Sequence, residues 1–235
     1  MPKDKSILVC GPLDAGTEAV ITDVLSSAGA NCRFCTYAEA EALLAGDARC
    51  DMLVTLPVDV TPARFDEIDI AVWERGLDDN LHARFRVAQA AVQKFAASKA
   101  GVIVHVVPAA GLIGQAEGGT VSIATMSGVA LSRSIALDNA NTGIVSNVIA
   151  TRGPDHARSL AALIGFLGSG EGQAISGQVY AVDGDEIHIS SQPRPIRVAH
   201  RDGGWDQANL ARVIGTAWGE ALLPADAGIA EVFGA

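Results

Sequence analysis

The chain has 235 residues, 49% of them apolar, and carries 17 Lys plus Arg against 27 Asp plus Glu, a formal charge of -10. That composition supplies a buried core and excludes a disordered chain, while the acidic balance repels nucleic acid and anionic membrane surfaces. The first apolar run, after MPKDK, is only about five residues long, too short for a signal peptide or a membrane span, so a cytoplasmic protein is expected.

In chain order, apolar runs rich in β-branched residues at Ile7 to Cys10, Asn31 to Thr36, Met52 to Leu56, Val102 to Val107, Val145 to Ala150 and Gln178 to Val182 read as strands. Helix-period segments alternate with them: Ala15 to Ala28, a short Ala38 to Ala45, Ala88 to Ala97, Ile123 to Ala140 and Arg158 to Leu167. The alternation predicts an α/β fold, a Rossmann-like doubly wound parallel sheet of about six strands covered on both faces. Its ligand cleft belongs at the carboxyl ends of the strands. From residue 187 the chain turns polar, with SSQPRPIRVAHRDGGWDQ, before a predicted helix over Ala208 to Leu222 and a tail ending EVFGA. Residues 1–186 are therefore expected to form the sheet domain, and 187–235 an extension packed on it or on a partner subunit.

All four cysteines, Cys10, Cys32, Cys35 and Cys50, lie in the first quarter, and Cys32 and Cys35 have CxxC spacing. No second pair matches it, and on a strand residues three apart face opposite ways, so neither metal nor disulfide chemistry is expected there. The histidines, His82, His105, His156, His188 and His200, show no metal-ligand spacing. His105 falls on a predicted buried strand, where a hydrogen-bonded core histidine is the usual case. Trp205 and Trp218 in the extension are equally suited to a contact surface and to packing.

Four stretches, AVWERGLDDNLHARFRVAQAAV, GVIVHVVPAAGLIGQ, VALSRSIALDNANTGIVSNVIA and ALIGFLGSGEGQAISGQVYAVDGD, together resemble the short-chain dehydrogenase/reductase family over most of residues 71 to 185. The match over 5 to 36 is weaker. The resemblance implies catalytic Ser, Tyr and Lys positions and an Asn on an earlier helix. Without a gap these fall on Pro108, Val121 and Thr125; a shift of one residue puts Ser122 and Met126 at the last two. Asn80 is retained. None of these replacements supplies the general acid-base help worth roughly 10²- to 10⁴-fold in rate.

The family's glycine-rich turn reads CGPLDAGTEA here, keeping Gly11 and Gly16 as vestiges while Asp14 points a negative charge at the pyrophosphate position. The ribose-binding carboxylate after the second strand is replaced by Thr36 or Tyr37, and the family's NNAG by TLPV at Thr55 to Val58. The stretch between Thr36 and Asp51 is shorter than the ~30 residues of a full βαβ unit, so one edge βα unit is expected to be deleted. TRGPDHARS, after Ala150, leaves no room for the family's mobile lid.

The expectation is thus a chain that is no enzyme by itself and binds no cofactor. It resembles the inactive subunit of the heteromeric 2-[hydroxy(phenyl)methyl]succinyl-CoA dehydrogenase of anaerobic toluene degradation. The resemblance implies an intact short-chain dehydrogenase partner carrying NAD, in an α2β2 assembly through helices 80–99 and 121–140, whose counterparts form the family's main dimer interface. Leu81, Phe85, Val92, Phe95, Val129, Ile135 and Ala136 keep those helices apolar. Two alternatives stand beside it: a nucleotide or ligand sensor on the same scaffold, and an enzyme of unrelated chemistry recruiting Ser122, Thr125 or Asn80.

Overall fold

The computed structural model describes residues 4–153, 156–191 and 195–222. The chain divides into two compact units, Met1–Ser190 and Ser191–Ala235. The first is built on one sheet of seven strands: β1 (Lys5–Cys10), β2 (Ala30–Cys35), β3 (Met52–Thr55), β4 (Gly101–Pro108), β5 (Ile144–Thr151), β6 (Val179–Asp183) and β7 (Glu186–Ile189). Their order is β2-β1-β3-β4-β5-β6-β7, with every pair parallel except β6 and β7. The expected strands are present, and the sheet holds a seventh beyond the six predicted. Strand β7 turns back from β6 through Gly184, whose φ of 57° suits a tight hairpin.

Helices cover both faces, which explains why Ile7 to Cys10 of β1 reads as an unbroken apolar run and the other central strands are mostly apolar. On one face α1 (Ala15–Ser27) and α7 (Ala157–Leu167) bury Ile21, Leu25, Leu160 and Ile164 against Ile7, Val9, Val54 and Val104. On the other, α2 (Tyr37–Ala45) and α4 (Ala83–Ser98) bury Leu44, Val87, Ala91 and Phe95 against Leu8, Cys10, Leu53 and Ile103. Helix α2 starts on a capping box, Thr36 paired with Glu39. It is the only helix between β2 and β3, so β2 is left as the sheet edge, as expected for a deleted βα unit.

A short helix α3 (Ile70–Leu77) and a π turn (Asp78–His82) lead into α4, and α5 (Ala110–Ile113) follows β4. The long α6 (Gly119–Asp138) packs on β4 and β5. It is long and apolar enough to cross a membrane by length and composition, but its apolar side lies against this sheet. Five residues separate β5 from α7.

In the second unit Asp206 caps α8 (Gln207–Arg212), accepting from Asn209 N at 2.8 Å, and the helix continues as a π turn (Val213–Ala217) and a 3-10 turn (Gly219–Ala221). These segments occupy the helix expected over Ala208 to Leu222. The tail EVFGA lies outside the described residues.

Candidate functional site

The carboxyl ends of β1, β3, β4 and β5 bring the first turn, the segment after β3, the end of β4 and the start of α6 to one edge of the sheet. Gly11 directly follows β1 with φ 123°, and its N–H donates to Cys35 O at 3.1 Å. A Cβ there would lie 2.9 Å from Leu56 Cβ and 3.0 Å from Leu56 O, so glycine lets β1 and the end of β3 approach.

Three residues on, Asp14 caps α1. Its Oδ1 accepts from Gly16 N at 2.9 Å and Thr17 N at 3.0 Å, and its Oδ2 accepts from the Thr17 hydroxyl. The Thr17 hydroxyl, followed by the Thr17 amide, holds the Asp14 carboxyl below its usual range. The positive end of the helix is therefore already matched by an anion of the chain itself. A dinucleotide pyrophosphate would meet a carboxylate where it needs free amides, and the turn as arranged does not fit it. Thr36, at the ribose position, spends its hydroxyl on the cap of α2. Tyr37 turns its hydroxyl onto Leu56 O at 2.6 Å, and burial raises its pKa.

The residues at the catalytic positions do come together. Pro108 ends β4, and its carbonyl accepts from Thr125 Oγ1 at 2.7 Å; the same hydroxyl lies 3.4 Å from Val121 O, one turn earlier on α6. Thr125 is fully buried. Of the shifted pair, Ser122 donates to Gly118 O at 2.9 Å and Met126 is half exposed. The backbone of α5 presses on this spot: a Cβ on Gly111 would lie 2.2 Å from Thr125 Oγ1 and 3.0 Å from Ser122 Cα. The hydroxyls at this end of the cleft are thus engaged with backbone carbonyls.

Asn80 is fully buried in the π turn. Its side chain clamps Val58 from both sides, Oδ1 accepting from Val58 N and Nδ2 donating to Val58 O, each at 2.9 Å. Its own carbonyl accepts from Ser127 Oγ at 3.2 Å. Asn80 ties the segment after β3 to α6 through its side chain and backbone at once.

Behind these residues lies a buried cation that the sequence reading missed. Arg84 is fully buried on α4, donating through Nη1 to Ala124 O at 2.7 Å and Ser127 Oγ at 3.4 Å, and through Nη2 to Val106 O at 3.2 Å. Its Nε has no hydrogen-bond partner among the described residues. His105 sits beside it on β4, fully buried, with Nδ1 2.8 Å from Thr55 Oγ1. Burial, reinforced by the charge of Arg84, holds His105 down to about 3, so it is neutral across the physiological range. A sequence signal for Arg84 existed: it lies four residues after Asn80 and shares a helix face with Val87, Ala88 and Ala91.

The cysteines separate as the strand geometry requires: Cys32 packs with the α1–α7 core and Cys35 with the α2–α4 core.

Across α4 and α6 runs an apolar groove formed by Phe85, Ala88, Val92, Leu131 and Ile135, rimmed by Gln89, Gln93 and Asp138. Phe85 is 47% exposed there. Of the side chains expected on these two helices, Phe95 and Val129 instead belong to the interior.

Comparison with known proteins agrees with this architecture. The short chain dehydrogenase family matches residues 36–155. An acetoacetyl-CoA reductase of Acinetobacter sp. (strain RA3849) is 28% identical over 137 residues, 58% of this chain and 53% of that protein. The chain therefore spans about half the length of this curated relative. The crystal structure of a short chain dehydrogenase from Mycobacterium avium superposes with a TM-score of 0.80 at 18% identity, covering 94% of this chain and 96% of that one. An oxidoreductase of the short chain dehydrogenase/reductase family from Burkholderia thailandensis gives a TM-score of 0.64 at 19% identity, covering 77% and 91%.

These findings correct the expectation that the chain is no enzyme by itself. The proteins it matches are a reductase, a dehydrogenase and an oxidoreductase, and the family assignment points to an oxidoreductase. The expectation rested on the missing Ser, Tyr and Lys, the altered glycine turn and the stretch too short for a lid, which establish what those positions lack and not that the protein is without activity. By the match over residues 36–155 and the shared fold, the chain belongs to the short-chain dehydrogenase/reductase family.

Proposed function

We propose that the chain works as a subunit of a short-chain oxidoreductase that interconverts the carbonyl and hydroxyl groups of an acyl-CoA thioester. It pairs through α4 and α6 with an intact short-chain dehydrogenase, two copies of each, and NAD enters with that partner. The observation that carries the reading is the groove between α4 and α6. Phe85, 47% exposed beside Val92, Leu131 and Ile135, lies in a continuous apolar groove that association would bury. Asp14 on the amides of α1 supports placing the dinucleotide with the partner. The thioester class is drawn from the acetoacetyl-CoA reductase relative. The 2-[hydroxy(phenyl)methyl]succinyl-CoA of anaerobic toluene degradation belongs to the same class.

The experiment is co-expression with any intact short-chain dehydrogenase encoded beside it, followed by native mass and acetoacetyl-CoA reduction with NADH and NADPH. A mixed assembly with turnover is expected. Two proteins that elute separately would refute the pairing.

A further inference from the structure

We propose that Cys10 and Cys35 are a modification site, two thiols that close into a cross-strand disulfide when the chain meets a peroxide. They are register partners at the carboxyl end of the β1–β2 ladder. In a parallel pair, partners stand side by side with their side chains on the same face, and both thiols belong to the α2–α4 core. Neighbouring strands run ~4.8 Å apart, within the ~4.4–6.8 Å that a disulfide spans between Cα atoms. Strand β2 is the sheet edge, held by a neighbour on one side only, so it has freedom to give the last few tenths of an ångström. Cys32 offers no rival, because it faces the opposite core.

The two sulfurs differ in solvent access. Cys35 is half-buried and can be reached from solvent, while Cys10, beside it on β1, is buried. The Cys35 sulfur attacks the peroxide; the O–O bond breaks, one oxygen leaves as water or an alcohol, and a sulfenic acid remains. The Cys10 sulfur then attacks the Cys35 sulfur, the S–O bond breaks, and the hydroxyl leaves as water. Two electrons pass from the sulfurs to the peroxide oxygens, and both thiol protons end on the departing oxygens. Burial raises the pKa of both groups, so each rests as a thiol, the attacking thiolate is a minor fraction, and closure is slow and quickens as pH rises. The bond would join β1 and β2 immediately before Gly11, at the mouth of the first turn.

The test treats the full chain with a small excess of hydrogen peroxide, unfolds it in alkylating agent, and maps the peptides by mass. Two of the four thiols should disappear together, with a loss of two hydrogens, a linked peptide holding Cys10 and Cys35, and full recovery in dithiothreitol. Cys32→Ser and Cys50→Ser should behave like the parent, whereas Cys35→Ser, changed only at a half-buried edge position, should form no link. A bridge to Cys32 or Cys50, an oxygen-bearing Cys35 beside an alkylated Cys10, or four unreacted thiols would each overturn the proposal.

Discussion

Replacing Arg84 tests how the interior tolerates a cation with no carboxylate against it among the described residues. The guanidinium donates to Ala124 O, Val106 O and Ser127 Oγ, and bonds from a charged donor contribute about 1.5–3 kcal/mol each, the longest least. Against them stands the cost of taking a cation out of water, several kcal/mol in a real interior. The two are of one size, so the charge contributes little net stability and the side-chain volume contributes most. The accepting carbonyls belong to α6 and to the β4 ladder, so neither is orphaned when the guanidinium goes. Arg84→Met keeps the stem and should stay within about 1.5 kcal/mol of the parent, whereas Arg84→Ala opens a cavity and should lose about 2–5 kcal/mol. In a domain of this size each kcal/mol moves Tm by roughly 2–4 °C, so thermal melts followed by circular dichroism separate the two. If Arg84→Met falls as far as Arg84→Ala, a buried anion compensates the guanidinium and the reasoning fails.

Gly11→Ala should lose about 1–3 kcal/mol in urea unfolding, because the new Cβ combines a positive φ with contact on Leu56. Asp14→Ala should lower Tm at neutral pH. The carboxyl pKa is depressed in the fold, so its contribution is present above the unfolded pKa and lost as pH falls through the folded value, and the gap between parent and variant should close in acid. The same variant frees the amides of Gly16 and Thr17 and should bind NADH more tightly by fluorescence titration; unchanged binding would show that Asp14 is not what opposes the pyrophosphate. His105 has its pKa lowered from 6.5 to about 3, so the unfolded chain takes up a proton below 6.5 that the fold refuses. Stability should fall as pH drops from 6.5 towards 3, by about 1.4 kcal/mol per pH unit for this one group, and His105→Asn should remove that slope.

Much of the fold was legible because buried parallel strands leave an unmistakable trace: Ile7 to Cys10 has helices on both sides and reads as an unbroken apolar run. The shortness of the stretch from Thr36 to Asp51 likewise announced that β2 would be an edge. Strand β7 was missed because EIHI alternates polar with apolar and follows VDGD too closely for a separate run, although Gly184-Asp185 is a hairpin signal. Asn80 and the first turn were readable from the family pattern. Arg84 was not, since a charged residue on a helix is ordinarily placed on its solvent face, and only its phase with Val87, Ala88 and Ala91 puts it inside. That Cys10 meets Cys35 depends on the register of two strands, which no spacing along the chain reveals.

The account turns on whether the α4–α6 face joins this chain to an intact short-chain dehydrogenase. The most direct measurement is the native mass of the two proteins purified together, for the parent and for Phe85→Asp, which places a charge on the exposed ring position while the inner face of α4 is untouched. The account predicts a mixed tetramer that reduces acetoacetyl-CoA for the parent, and separated proteins for a variant that melts at the parental temperature. A parent chain that runs alone beside its candidate partner, or a Phe85→Asp complex as firm as the parent's, would contradict it.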